Sequence, residues 1–284
     1  MAGSNAPVGV FDSGVGGLTV AREIMRQLPE ERIVYFGDTA RLPYGTKSRN
    51  TVIRFSRQIV RFLMTKEVKA IVIACNTATA FALEEIQREL RIPVIGVIDA
   101  AARVAVSVTG NNRIGVVGTT ATIGSGMYEK ALKQYNEKVK VYGKACPLLV
   151  SLAEEGWLHD TITEEVVSRY LKDLRYKSID TLILGCTHYP LLRSTFRKIA
   201  GEDVTLVNPA YEVAMELGEL LKTRGLSCGR DVGGAGEKYE FFVSDAAEKF
   251  CEFANSILPF DIEQVKQINI EDFEAEGRDA FREG

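Results

Sequence analysis

The sequence predicts an α/β protein of two fused, similar lobes with mainly parallel sheets and a ligand cleft between them. Two observations carry this. Short β-branched runs alternate along the chain with longer helical patterns, the rhythm of βα units. In addition, VKAIVIACNTATA around Cys75 resembles IDTLILGCTHYPL around Cys186 in its apolar run, small residue, cysteine and Thr-containing turn, and GVFDSGVGG resembles GVVGTTATIG more loosely.

Taken in order, the strand PVGVFDS precedes the helix LTVAREIMRQLP, RIVYFGD precedes SRNTVIRFSRQIVRFLMTKE, and KAIVIAC precedes TATAFALEEIQRELR. RIGVVGT leads to a helix expected over 125–135, and TLILGC to one over 190–199. NPAYEVAMELGELLKTRG reads as a helix, YEFFVSD as a late strand and AAEKFCEFANSIL as a closing helix. The glycine-rich GRDVGGAGEKYE reads as an exposed loop. The acid-rich run from Glu271 to Gly284 reads as a mobile or loosely packed tail without a catalytic role.

A chain of 284 residues, 46% apolar and 26% charged, holds one large or two modest domains and falls outside the disordered, collagen-like and coiled-coil classes. With 35 basic against 38 acidic residues it lacks the surplus of Lys and Arg that tracks a nucleic-acid backbone. No run approaches the ~20 apolar residues of a membrane span, and Met1 to Pro7 lacks the pattern of a signal peptide, so a soluble, cytoplasmic protein is expected. The five cysteines are odd in number and without CxxC spacing, which favours reduced thiols over a disulfide framework or a zinc site.

Cys75 and Cys186 each close an apolar run at the carboxyl end of an expected strand, the edge where open α/β sheets bind ligands. One such cysteine alone reads as small core filler; the repeated setting, with Asn76-Thr77 after one thiol and Thr187-His188 after the other, points to chemistry. Cys146, Cys228 and Cys251 lack this context and stay with core packing. The loop DSGVGG has backbone N–H groups for an anion but neither a G-x-G-x-x-G fingerprint nor a P-loop ending, so nucleotide binding is a weak reading. Asp12 serves there either as the helix cap or as a partner of a neighbouring thiol. In GDTARLPYG, Pro43 and Gly45 are placed to fix backbone groups for a ligand, while Tyr44 packs or binds. His188, beside Cys186, is better placed for proton chemistry than His159 in its GWLHD context.

Together, FDSGVGGLT at 11–19, GDTARLPYG at 37–45, ACNTATA at 74–80 and GCTHYP at 185–190 closely resemble the glutamate racemases of the aspartate/glutamate racemase superfamily, over a stretch from about Pro7 to Ile270. The resemblance implies two pseudosymmetric flavodoxin-like lobes, here 1–98 with 208–270 and 99–207, followed by the tail 271–284. It also implies a pyridoxal-independent enzyme with no cofactor or metal that supplies D-glutamate to peptidoglycan, works as a homodimer and has no nucleic-acid or membrane partner. By motif, Cys75 and Cys186 would be the catalytic thiols. Asp12, Ser13, Pro43, Tyr44, Gly45, Asn76, Thr77, Thr187 and His188 would contact substrate, with Asp12 and His188 also assisting the sulfurs. SLAEEGW makes Glu154 the match for an acidic helper, with Glu155 next to it, and GTTAT makes Thr119 and Thr122 matches for threonines that hold a carboxylate.

Two thiols suit stereoinversion because the proton leaves one face of a carbon and returns to the other, so two opposed groups of similar proton affinity are needed. A related substrate such as aspartate, or a binding or regulatory protein that keeps the cleft without turnover, are the competing readings. A substrate panel and solvent isotope exchange separate them.

Overall fold

The computed structural model describes residues 3–229 and 238–274. Its first sheet has six parallel strands in the order β10-β9-β2-β1-β3-β4: Val8–Asp12 (β1), Ile33–Gly37 (β2), Ala70–Ile73 (β3), Val94–Gly96 (β4), Tyr239–Val243 (β9) and Val265–Gln267 (β10). The second has four parallel strands in the order β6-β5-β7-β8: Arg113–Gly118 (β5), Lys140–Ala145 (β6), Thr181–Gly185 (β7) and Thr205–Val207 (β8). The order β2-β1-β3-β4 is thus repeated as β6-β5-β7-β8, which places Cys75, beyond β3, and Cys186, beyond β7, at corresponding points of the two sheets.

The central strands are buried along their whole length, as a parallel sheet covered on both faces requires. Helices Leu18–Gln27 (α1), Pro209–Thr223 (α10) and Ala247–Ile257 (α11) cover one face of the first sheet, and Arg49–Met64 (α2) with Asn76–Glu89 (α3) covers the other. Helix Val97–Val108 (α4) serves both lobes: Val97 and Ala100 enter the first lobe's core, while Ile98, Ala101, Ala102 and Ala105 enter the second's. Around the second sheet lie Thr120–Gly124 (α5), Met127–Tyr135 (α6), Leu148–Glu154 (α7), Thr161–Arg175 (α8) and Arg193–Ala200 (α9). Among the described residues no helix is long and apolar enough to cross a membrane.

The helix expected over 125–135 is α6, set off from the short α5, which was not expected, by Gly126, whose φ of +68° makes a left-handed turn between them. Two expectations need correction. The helix expected over 190–199 opens with a 3₁₀ turn at Tyr189–Leu192 before α9. The acidic tail is not loose at its start. Ile270–Phe273 forms a 3₁₀ turn in which Ile270 is buried and the Phe273 ring meets the Phe62 ring edge-on at 5.5 Å, while Glu271 accepts from Arg41 and Gln58. Apolar contact with α2 outweighs the unfavourable composition of that segment. The rest of the tail, 275–284, and most of the glycine-rich loop, 230–237, lie outside the described residues.

Candidate active site

The carboxyl ends of the two sheets face one another across a tight cavity of about 30 Å³. The first lobe contributes Ser13, Pro43, Tyr44, Gly45, Cys75, Asn76 and Thr77 to its wall. Thr119, Glu154, Cys186, Thr187 and His188 come from the second. Of the candidates read from sequence, Asp12 and Thr122 stand behind this wall, fully or almost fully buried, and touch its members. Gly14, Leu42 and Val150 complete the lining. The sequence carried no chemical signal for Leu42 or Val150, which offer only apolar surface.

Cys75 occupies the N-cap of α3, and its sulfur accepts from the Ala78 amide at 3.4 Å while lying 3.7 Å from Ser13 Oγ. A helix N-terminus favours a thiolate. Burial and the nearby Asp12 charge prevail instead and push the Cys75 thiol up to about 12. Asp12 is not the helix cap: α1 is capped by Gly17 without a side-chain bond, and Asp12 Oδ2 accepts from the Gly14 amide at 3.0 Å. The anion held by the glycine-rich loop is therefore the chain's own carboxylate. Burial raises the pKa of Asp12, opposed by the charge of His188 and by the amides of Gly17, Gly14 and Ser13.

On the other wall, His188 Nδ1 lies 3.8 Å from Cys186 Sγ and Nε2 lies 3.0 Å from Glu154 Oε1. The imidazole thus links the thiol to a carboxylate on α7. Burial opposes its charge, but the hydrogen bonds to Cys186 and Glu154 win and raise the pKa of His188 to about 10. Burial likewise opposes the charge of Glu154, yet the bond to His188 holds its pKa below the usual carboxylate value. His159 is exposed and pairs with Ser194 at 3.3 Å, in keeping with a surface loop.

The walls interlock. Thr77, Thr119 and Thr122 form a triangle of hydroxyls with edges of 2.9, 3.0 and 2.9 Å that spans the two lobes. Thr19 on α1 donates to the Thr187 carbonyl at 2.9 Å. A Cβ at Gly16 would stand 2.5 Å from Thr187 Oγ1 and 2.6 Å from His188 Nδ1, so only glycine lets the loop lie this close to the second lobe. The loop bearing Tyr44 is anchored below by Asp38, fully buried, which receives the Tyr44 hydroxyl, Ser244 Oγ at 2.8 Å and Arg41 Nε at 2.8 and 3.0 Å. Tyr44 therefore both lines the cavity and bonds. Two thiols, an imidazole, a buried carboxylate and a ring of neutral donors together suit proton transfer at a small, anionic, hydrogen-bonding molecule. Among the described residues no group of three or more His, Cys, Asp or Glu side chains is placed to hold a metal ion.

A family model described as Asp/Glu/Hydantoin racemase matches residues 9–217. The chain is 48% identical over 264 residues to a glutamate racemase of Geobacter metallireducens, covering 93% of this chain and 97% of that protein. It is 45% identical over 267 residues to one from Oceanobacillus iheyensis, covering 93% and 96%. Among solved structures, a glutamate racemase isoform from Bacillus anthracis superposes with a TM-score of 0.89 at 44% identity, covering 93% of this chain and 98% of that one. The Francisella tularensis glutamate racemase in complex with D-glutamate superposes with a TM-score of 0.87 at 40% identity, covering 95% and 99%.

Proposed function

The chain belongs to the Asp/Glu/Hydantoin racemase family, and from that premise we propose that it interconverts L- and D-glutamate by cofactor-independent proton transfer between Cys75 and Cys186. The observation that carries the reading is that one thiol from each lobe lines the same cavity, each just beyond the corresponding strand of its sheet. The substrate assignment rests on the relatives, which are glutamate racemases over nearly the whole length of this chain.

In one direction the thiolate of one cysteine takes the α-hydrogen as a proton. The C–H electron pair stays on the α-carbon and spreads into the adjacent carboxylate. The opposite thiol then delivers its proton to the other face, leaving the first sulfur protonated and the second ionised, the state from which the reverse reaction starts. Donors at Ser13, Asn76, Thr77 and Thr187 would hold the α-carboxylate where charge develops. His188, bridging Cys186 to Glu154, is the proton relay on one side, while Asp12 acts on Cys75 through its charge on the other. We read the enzyme as a cytoplasmic homodimer whose D-glutamate feeds peptidoglycan; sedimentation checks the first point and rescue of a D-glutamate auxotroph the second.

The direct test follows each enantiomer in deuterated water without added cofactor, by optical rotation and α-deuterium content. Inversion with one solvent deuteron gained per turnover is expected, and Cys75→Ala and Cys186→Ala should each abolish it. Full inversion by either single variant would remove the two-thiol mechanism.

A further inference from the structure

The Tyr128 hydroxyl, carried on α6 of the second lobe, donates to Asn76 Oδ1 in the first lobe at 2.6 Å. Both residues are buried, Tyr128 at 3% exposure and Asn76 at 4%. Asn76 follows Cys75 directly and lines the cavity, whereas Tyr128 is not part of the lining. With its amide oxygen engaged by Tyr128, Asn76 has its amino group left as the donor for an anion in the cavity. The same tyrosine leans on the other thiol's strand: a Cβ at Gly185, the residue before Cys186, would stand 2.9 Å from Tyr128 Cε2. One ring thus rests on the backbone leading into Cys186 while its hydroxyl grips the residue leading out of Cys75.

We infer that Tyr128 is a positioning residue of this site, orienting the Asn76 amide toward the substrate carboxylate and tying together the two strand ends that carry the thiols. The inference rests on the racemase reading above and deepens it. Burial keeps the phenol protonated well beyond its ordinary range, so the donor is present at every pH at which the protein works. A tyrosine serves here because a rigid ring spans the gap between lobes with few rotatable bonds and carries its hydroxyl to the amide oxygen of Asn76.

The experiment measures glutamate affinity by calorimetry, and turnover separately, in wild type, Tyr128→Phe, Asn76→Ala and the double variant. Phenylalanine keeps the ring against Gly185 and removes only the donor. The dissociation constant is expected to rise about tenfold, the effect of one lost hydrogen bond on an oriented group, with an unfolding midpoint close to wild type. In the Asn76→Ala background the same change should be silent, because the residue it acts through is gone. An unchanged affinity in Tyr128→Phe, or an equal loss in both backgrounds, overturns the inference. Should the phenylalanine protein not fold, a crystal structure of the wild type with glutamate gives a second test: an Asn76 amide within about 3.2 Å of the substrate carboxylate while still bonded to the Tyr128 hydroxyl supports the assigned orientation, and the lack of either contact overturns it. A wild type that binds glutamate without inverting it removes the racemase reading and leaves the Tyr128 comparison readable as affinity. A wild type that binds neither enantiomer overturns both.

Discussion

Thr187 Oγ1 donates to Asp12 Oδ1 at 3.4 Å, so the carboxylate that acts on one thiol is held by the residue that follows the other. The two halves of the site are therefore coupled through a buried polar contact, and a change on one wall is felt on the opposite one.

Asp12→Asn preserves the shape of this contact and deletes its charge. Because that charge is the second cause, after burial, of the raised Cys75 pKa, the thiol is expected to titrate lower in the variant yet still above an ordinary cysteine. Racemisation should fall by about 10²–10⁴, the usual range for a group assisting proton transfer. The pH dependence of Cys75 alkylation, followed by peptide mass spectrometry, reads the first effect. An unmoved midpoint would count against the electrostatic role.

The His188–Glu154 pair makes stability depend on pH in a defined direction. His188 has a folded pKa of about 10 against 6.5 for a free histidine, so its contribution is complete below 6.5 and is lost as pH rises toward 10. Glu154 is lowered, so its contribution is present above 4.5 and lost as pH falls through its folded value. Glu154→Gln should accordingly cost most near about pH 6 and little near about pH 10, as thermal midpoints across that range will show. A pH-independent difference contradicts the pairing.

Gly16→Ala places a methyl against Thr187 and His188, both held by hydrogen bonds on their far sides. Overpacking of this kind costs about 1–3 kcal/mol. The variant is expected to fold and to lose at least about tenfold in kcat, because one of the displaced residues, His188, is the proposed proton relay. Wild-type kcat with lowered stability alone would show that the second lobe yields elsewhere.

Of the two carboxylates paired with Arg41, one is buried and one exposed, and the two should not matter equally. Asp38 is fully buried, whereas the Glu271 side chain is 53% exposed. Glu271→Ala should change stability by less than about 1 kcal/mol. Arg41→Ala, which leaves the Asp38 carboxylate without its cation, should cost about 3 kcal/mol or more. Through the Tyr44 bond to Asp38 it should also raise KM for glutamate. Chemical denaturation and steady-state kinetics on the two variants provide the comparison, and similar losses in both would contradict this ranking.

The strands that end in Cys75 and Cys186 were legible because burial on both faces demands unbroken apolar runs, and a thiol at the end of such a run stands out. Strands β4, β8 and β10 are three residues each and owe their form to neighbours already paired, so no local pattern announces them. Lys140–Ala145 is half exposed and polar, and escapes for a related reason. In the site, residues with reactive side chains could be read from their motifs. Leu42 and Val150, which line it with apolar surface, could not. Tyr128 was hidden because its role depends on a partner far away in sequence. The tail misled because acidic composition says nothing of Phe273, whose ring finds Phe62.

The unequal helpers, a carboxylate behind one sulfur and an imidazole beside the other, have a thermodynamic corollary. Mirror-image amino acids have the same free energy in water, so the equilibrium constant is unity and kcat/KM must be identical in the two directions. Whatever handedness the protein imposes can appear only as compensating differences in kcat and in KM: the enantiomer with the lower KM must also be the one converted more slowly at saturation.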